Sequence, residues 1–322
     1  MKANPSCILF SLVMAGAGST PAVIGAGFLP GEVLVGGRPG YSFDFGPGYI
    51  QAYSSMGTYQ RDTATLPFGH PRDAIMLGND ILDADDGAIL RIHPDATMTV
   101  YAGGDPDGRP YTALTMDAGG NLFVATFSFT VRKLDTSGRT LAQYSLPSDS
   151  GTFGVFSMDL APDQCTLFYA AARQRIKNYD ICRSSGLSDF VDIGPGISVR
   201  MIRVLTDGTV LAAASNGIIR FSRSGEVIKI YGEHAGIPWV SLSVLADGTS
   251  FWAGGALDAG GSQITKFDLT SGAVLAGPVP TPVPSVPSFS VPPEFVLVVG
   301  EHRAAQPFFP TAPPRRRAVR NH

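Results

Sequence analysis

Charge is scarce in this chain, and so are cysteine, tryptophan and histidine. Only 16% of its 322 residues are Asp, Glu, Lys or Arg, and it has three Cys, two Trp and five His. No stretch keeps apolar residues at i, i+3, i+4 and i+7 between helix caps, which argues against a helical architecture. The longest apolar run lies near the N-terminus. Gly, Ser, Thr and Pro21 interrupt it before it reaches the ~20 residues of a spanning helix. Basic charge is also short: residues 278–322 hold five Arg against Glu294 and Glu301, a balance of +3, so the formal −3 leaves −6 on the rest. A mildly acidic body excludes a nucleic-acid surface. No G-x-S-x-G, P-loop, H-E-x-x-H or dinucleotide fingerprint occurs in its proper context, so no complete catalytic motif is present.

What the chain does have is Gly 38 and Pro 25, punctuating short β-rich runs. One unit recurs: an Asp/Gly turn feeding an apolar strand that ends on a small residue. It reads "DAGGNLFVA" (117–125), "GNDILDA" (78–84), "PDQCTLFYA" (162–170), "TDGTVLAAA" (206–214) and "ADGTSFWAGG" (246–255), with a weaker first copy in "GEVLVGG" (31–37). The small residues Gly36, Ala84, Ala125, Ala170, Ala213 and Gly254 are spaced by 48, 41, 45, 43 and 41. A turn and further strands follow most of them, as in "TVRKL" (130–134) and "GIIRF" (217–221). About 40–45 residues and up to four short strands per unit define a β-propeller blade. The expected fold is all-β: one six-bladed propeller of four-stranded antiparallel blades over residues 28–277. Five or seven blades are the neighbouring solutions, because the first copy is weak.

The ends read differently. Lys2, the apolar "CILFSLVMAGAG" (7–18) and the small residues through Ala22 and Ala26 suit an export signal over 1–26. That signal would carry Cys7 away. The prolines of 278–293 suit an extended linker. Residues 294–322 combine the apolar "EFVLVVG" (294–300) with Arg315, Arg316 and Arg317. They suit either a degenerate surface-sorting tail or a strand that returns to close the ring, with the tail slightly favoured. The tail would allow cell-surface association.

Two cysteines remain, Cys165 and Cys182, at the ends of a hairpin whose turn lies near residues 172–174. Their indices sum to 347, which centres the pair inside that turn and sets the two opposite each other, or nearly so, within disulfide range. An even pair in an exported chain predicts a disulfide. Zinc is disfavoured, because no His lies near enough in sequence to complete a site.

The segments entering each inner strand would cluster on one face around the channel. His70 and His234 fall in two of them, with Glu233, Arg72, Tyr111, Arg200 and Trp239 as companions on the rim. Arg72, Tyr111, Arg200 and Trp239 suit ligand contact, while His70, His234 and Glu233 are the weaker candidates for acid–base work. "DADDG" (83–87) opens like a calcium loop but lacks the later register and closing Glu, and reads as a solvated hairpin turn. His93 reads as structural.

The unit "MDAGGNLFVATFSFTVRKLDTSG" (116–138) resembles the NHL-like propellers, whose units run D-x-x-G-N-L-Y-V-A-D and then R-I-x-K-I-D-x-x-G. "DQCTLFY" (163–169), "ICR" (181–183) and "DGTSFWAGG" (247–255) resemble a set of secreted bacterial propellers. The generic repeat is also similar to streptogramin lyases and the gluconolactonase group. These resemblances cover residues 67–277 and imply the fold more firmly than an activity. The expected function is that of an exported or surface-associated binding module. It would engage a small molecule, glycan or protein through its rim and channel, without nucleic acid, metal or cofactor. The alternative is a lyase or lactonase-like enzyme using His70, His234 and Glu233. Intact-mass measurement is expected to show a gain of two hydrogens on reduction. Two alkylatable thiols in the unreduced mature protein would contradict the predicted disulfide.

Overall fold

The computed structural model describes residues 27–38, 47–67, 70–149, 152, 154–171, 173–233, 238–257, 261–281 and 294–299. Six antiparallel sheets stand around a channel, and in blades 2 to 6 the first strand of each is innermost. Blade 2 runs outward as Asp73–Leu77, Asp80–Ala84, Ile89–Ile92 and Met98–Ala102. Blades 3 to 6 begin at the channel with Tyr111–Met116, Ser157–Leu160, Val199–Val204 and Trp239–Val244. In blade 4 the outermost place is shared by Ser185–Gly186 and Val191–Asp192, both paired with Arg175–Asp180.

Blade 1 draws on both ends of the chain. Val33–Gly37, Gly48–Tyr53 and Tyr59–Leu66 lack an innermost strand of their own, and Phe295–Val298 supplies it, pairing Val33 with Val298 and Gly36 with Phe295. Glu294 N–H donates to Gly36 O and Val299 N–H to Glu32 O, extending the pairing at both ends. The six innermost strands then touch in a continuous ring, Phe295–Val298 lying between those of blades 6 and 2. The propeller therefore extends past 277, and Phe295–Val298 is the closing strand rather than part of a tail. The start of the expected linker is structured too: Val274–Pro280 forms the outer edge of blade 6, where proline's missing N–H faces no ladder partner. The expected signal over 1–26, most of the linker (282–293) and 300–322 lie outside the described residues.

The small residues that mark the repeat all sit on second strands: Gly36, Ala84, Ala125, Ala170, Ala213 and Gly254. The alanines among them are fully buried, where the blades narrow toward the channel. At Gly36 even a methyl group would overlap the Phe295 ring. The Asp/Gly turns before these strands are local chemistry. In "DAGGN", Asp117 Oδ1 accepts the N–H groups of Gly119 at 2.9 Å and Asn121 at 2.8 Å, and Gly120 takes the left-handed φ of +79°.

Both faces of each blade are buried, so second strands such as Val210–Ala214 are apolar throughout, while the outer Thr140–Ser145 is largely exposed. The core is six clusters, one in each seam between neighbouring blades. The seam between blades 1 and 2 packs Phe295, Leu297, Leu34 and Ile50 on Met76, Ile81 and Ile92. The last seam packs Val296, Val298 and Tyr53 on Trp252 and Ile264.

Cys165 and Cys182 form a disulfide with Cα atoms 5.2 Å apart. The hairpin register pairs Thr166 with Asp180, so opposed indices sum to 346 rather than 347. The bridge therefore lies on a diagonal just beyond the strand ends, where Ile181 N–H donates to Cys165 O.

Phe295→Ala is expected to cost about 3–5 kcal/mol in urea unfolding. Gly36→Ala is expected to cost about 1–3 kcal/mol by overpacking. The double variant should lose less than the sum, since the smaller residue at 295 makes room for the methyl. Additive or negligible losses would contradict the closing strand.

Candidate functional site

Antiparallel blades send two kinds of connection to the same face: the segments entering each innermost strand, and the turns joining second to third strands. This loop face carries His70, Arg72 and Glu233 as the sequence reading expects, together with Arg38, Asp85 and Asp86.

His70 is 6% exposed. Its Nε2 lies 2.6 Å from Arg38 Nη1, and its Nδ1 bonds Asp86. A guanidinium has no acceptor, so Nε2 accepts and the ring proton sits on Nδ1, donated to Asp86. Asp86 also accepts from Arg72 Nε at 2.8 Å. Burial opposes ionisation of Asp86, but the His70 hydrogen bond and the Arg72 charge outweigh it and hold its pKa below the ordinary value. Arg38 Nε stands 3.2 Å from Glu294, the residue before the closing strand. This network joins blade 2 to both chain ends of blade 1. Nearby, burial and the Glu294 charge push the Tyr49 hydroxyl up to about 12.

"DADDG" is not a solvated turn. Asp83 and Asp85 are both fully buried, because Asp83 shares the strand face of Ile81, which packs in the seam with blade 1. Asp85 Oδ1 accepts the His70 and Asp86 N–H groups. Neither oxygen of Asp83 has a hydrogen-bond partner among the described residues. Desolvation, and then the carboxylates of Asp85, Asp73 and Asp86, raise its pKa well above the ordinary value. His93 bonds Asp80 at 2.9 Å in an outer turn. Among the described residues no three His, Cys, Asp or Glu side chains are grouped to hold a metal ion.

The channel is braced by side chains. Arg203 of blade 5 reaches Asp73 of blade 2, three blades away in either direction, at 3.1 Å, and both side chains are almost fully buried. Innermost strands are sheet edges, and side chains of the preceding blade accept several of their N–H groups. Leu114 donates to Asp73 at 3.0 Å, Ile202 to Ser157 at 3.0 Å, Val204 to Asp159 at 2.8 Å and Val298 to Ser243 at 3.1 Å. Thr115 links blade 3 to Asp159 of blade 4 in the opposite sense.

Two candidates from the sequence leave the rim. Tyr111 is buried in the seam of blades 2 and 3 with its hydroxyl donating to Gly103 O at 2.9 Å. Trp239 is buried against Phe267, its Nε1 donating to Gly232 O at 3.1 Å. As the first residues of their innermost strands, both turn into a seam. Glu233 is exposed in the connection to blade 6, with blade 1 between it and His70 around the ring, and His234 lies outside the described residues.

Arg72 and Arg200 are brought into one row. The Arg72 guanidinium lies 5.8 Å over the Phe127 ring and that of Arg200 lies 5.6 Å over Phe156, while the two rings meet edge to face at 5.4 Å. The row crosses blades 2 to 5 on the loop face. Gly154 sets it, because a Cβ there would fall 2.5 Å from Ser128 N and 2.7 Å from Phe127 C. Sequence reasoning missed both phenylalanines, although each occupies a connection to this face, in "TFSF" (126–129) and "GVF" (154–156).

These features define a six-bladed β-propeller with a charged, aromatic loop face. It is similar to a solved protein of unknown function from Bacteroides caccae, with a TM-score of 0.62 at 13% identity over 85% of this chain and 100% of that one. A likeness to the WD40 β-propeller domain of Doa1 has a TM-score of 0.47 at 18% identity, over 64% of this chain and 68% of that one. No family model and no curated protein matches the chain.

Asp83 gives this face a pH signature. The unfolded chain releases the Asp83 proton near pH 4, whereas the folded state keeps it to a higher pH. Between those two values the folded state binds more protons, so this group lowers stability as pH rises. Asp83→Asn is therefore expected to gain stability relative to the parent as urea unfolding is moved from pH 4 to pH 7. A difference that is flat, or that favours the parent at pH 7, would contradict an uncompensated carboxyl.

Proposed function

We propose that the protein is a non-catalytic binding module whose ligand sits on the loop face over blades 2 to 5. The observation that carries this reading is the Arg72–Phe127–Phe156–Arg200 row, in which two half-buried rings meet the half-buried Arg72 and the exposed Arg200 from four blades. Aromatic and arginine side chains held rigidly at one surface are favoured anchors for a partner. The buried Arg203–Asp73 pair spans the channel, which favours a ligand on the face above it. A small molecule, glycan or protein would each have access there. The NHL-like resemblance of residues 116–138 belongs to the same proposal, as does export, which accords with the Cys165–Cys182 disulfide. The lyase or lactonase-like alternative has weaker support, since His70 is buried and its Nε2 already accepts from Arg38.

The test is an array of oligosaccharides and peptides probed with the full chain and with Phe156→Ala and Arg200→Ala. At least one ligand class is expected to be retained by the parent and to bind about tenfold more weakly to each variant, a loss of about 1.4 kcal/mol. Binding at parental strength by both variants, with unchanged circular dichroism, would contradict the site.

A further inference from the structure

We infer that the loop face recognises carboxylate-bearing oligosaccharides of the uronic-acid type, held between Arg109 and Arg200 across Phe127 and Phe156. This rests on the binding-module reading and names its ligand class.

Most arginines around this face are neutralised. Arg38 is paired with Glu294, Arg72 with Asp86, Arg132 with Asp105 and Arg203 with Asp73. Arg109 and Arg200 differ, because both are exposed and neither has a carboxylate partner among the described residues. Arg109 Nη1 donates to Phe127 O at 3.5 Å, and the Arg200 guanidinium lies over Phe156. One of these two cations thus stands at the Phe127 backbone and the other over the Phe156 ring. On a body of net charge −6, two uncompensated guanidiniums at one place favour an anionic ligand. A guanidinium laid over a ring keeps its N–H edge in a fixed plane, which matches the two oxygens of a carboxylate.

The rings between them decide the rest of the ligand. Phe127 and Phe156 are half-buried and set edge to face, so they offer apolar surface but no hydrogen bonds. Four backbone donors beside them are already used: Phe127 N–H donates to Pro110 O, Ser128 N–H to Thr126 O, Val155 N–H to Ser128 O and Phe156 N–H to Ala170 O. An extended peptide, which is held through main-chain hydrogen bonds, finds these four donors already used. A uronic-acid sugar needs none, because it presents an apolar C–H face to a ring and a carboxylate to an arginine.

The experiment measures binding of the full chain to oligogalacturonate, to its fully methyl-esterified form and to poly-L-glutamate of similar length. Oligogalacturonate is expected to bind, with esterification weakening it at least about tenfold, as would Arg109→Ala or Arg200→Ala. Arg200→Lys should not restore affinity, since a point charge lacks the planar fork. The ligand class is overturned if oligogalacturonate fails to bind, if poly-L-glutamate binds as tightly, or if the Arg109→Ala/Arg200→Ala protein binds undiminished. Poly-L-glutamate binding that is lost in Phe156→Ala would overturn the sugar while leaving the binding module standing. Failure of all three probes, with array binding also unaffected by Phe156→Ala, would remove both.

Discussion

Each blade places a sheet edge in the channel, and a buried edge must find partners for its N–H groups. Here the partners come from the preceding blade: Asp73 serves Leu114, Ser157 and Asp159 serve Ile202 and Val204, and Ser243 serves Val298. The same contacts that satisfy the edges tie neighbouring blades together. The Asp73–Arg203 pair adds a brace across the ring. A single open seam would expose both an apolar blade face and an unsatisfied edge, so the closing strand Phe295–Val298 carries consequences for every blade.

That closure shapes where function can lie. Charged side chains bridge the channel, and the segments entering the innermost strands converge on the loop face above it. The connections around His70 serve largely to hold the two chain ends together, through Asp86, Arg38 and Glu294. The Phe127 and Phe156 rings lie on blades 3 and 4, away from that network. The latch lies over blades 1 and 2, and the proposed recognition surface lies farther round the ring.

Much of the fold was legible because its signals are local. Asp/Gly turns such as Asp117–Gly120 and the small residues at Ala125 or Ala213 declare each second strand within a few residues. The disulfide followed from hairpin symmetry to within one residue of register. The closing strand was less legible, because four residues between prolines and arginines gain meaning only from a partner about 260 residues away. The site was harder still. Tyr111 and Trp239 stand at loop–strand junctions, and only the seam reveals that they point inward. Asp83 and Asp85 look like turn residues until the packing of Ile81 shows which side of the strand they share. Phe127 and Phe156 are 29 positions apart and unremarkable singly, and Gly154 brings them together.

The central claim is a ring closed by edge amides capped from the preceding blade. Amide hydrogen exchange of the intact protein tests it most directly. The account predicts that Leu114, Ile202, Val204 and Val298 exchange only by global unfolding, as slowly as the amides of the second strands. Fast exchange at Val298, with the other three protected, would contradict closure by Phe295–Val298. Fast exchange at all four would contradict the capped inner ring itself.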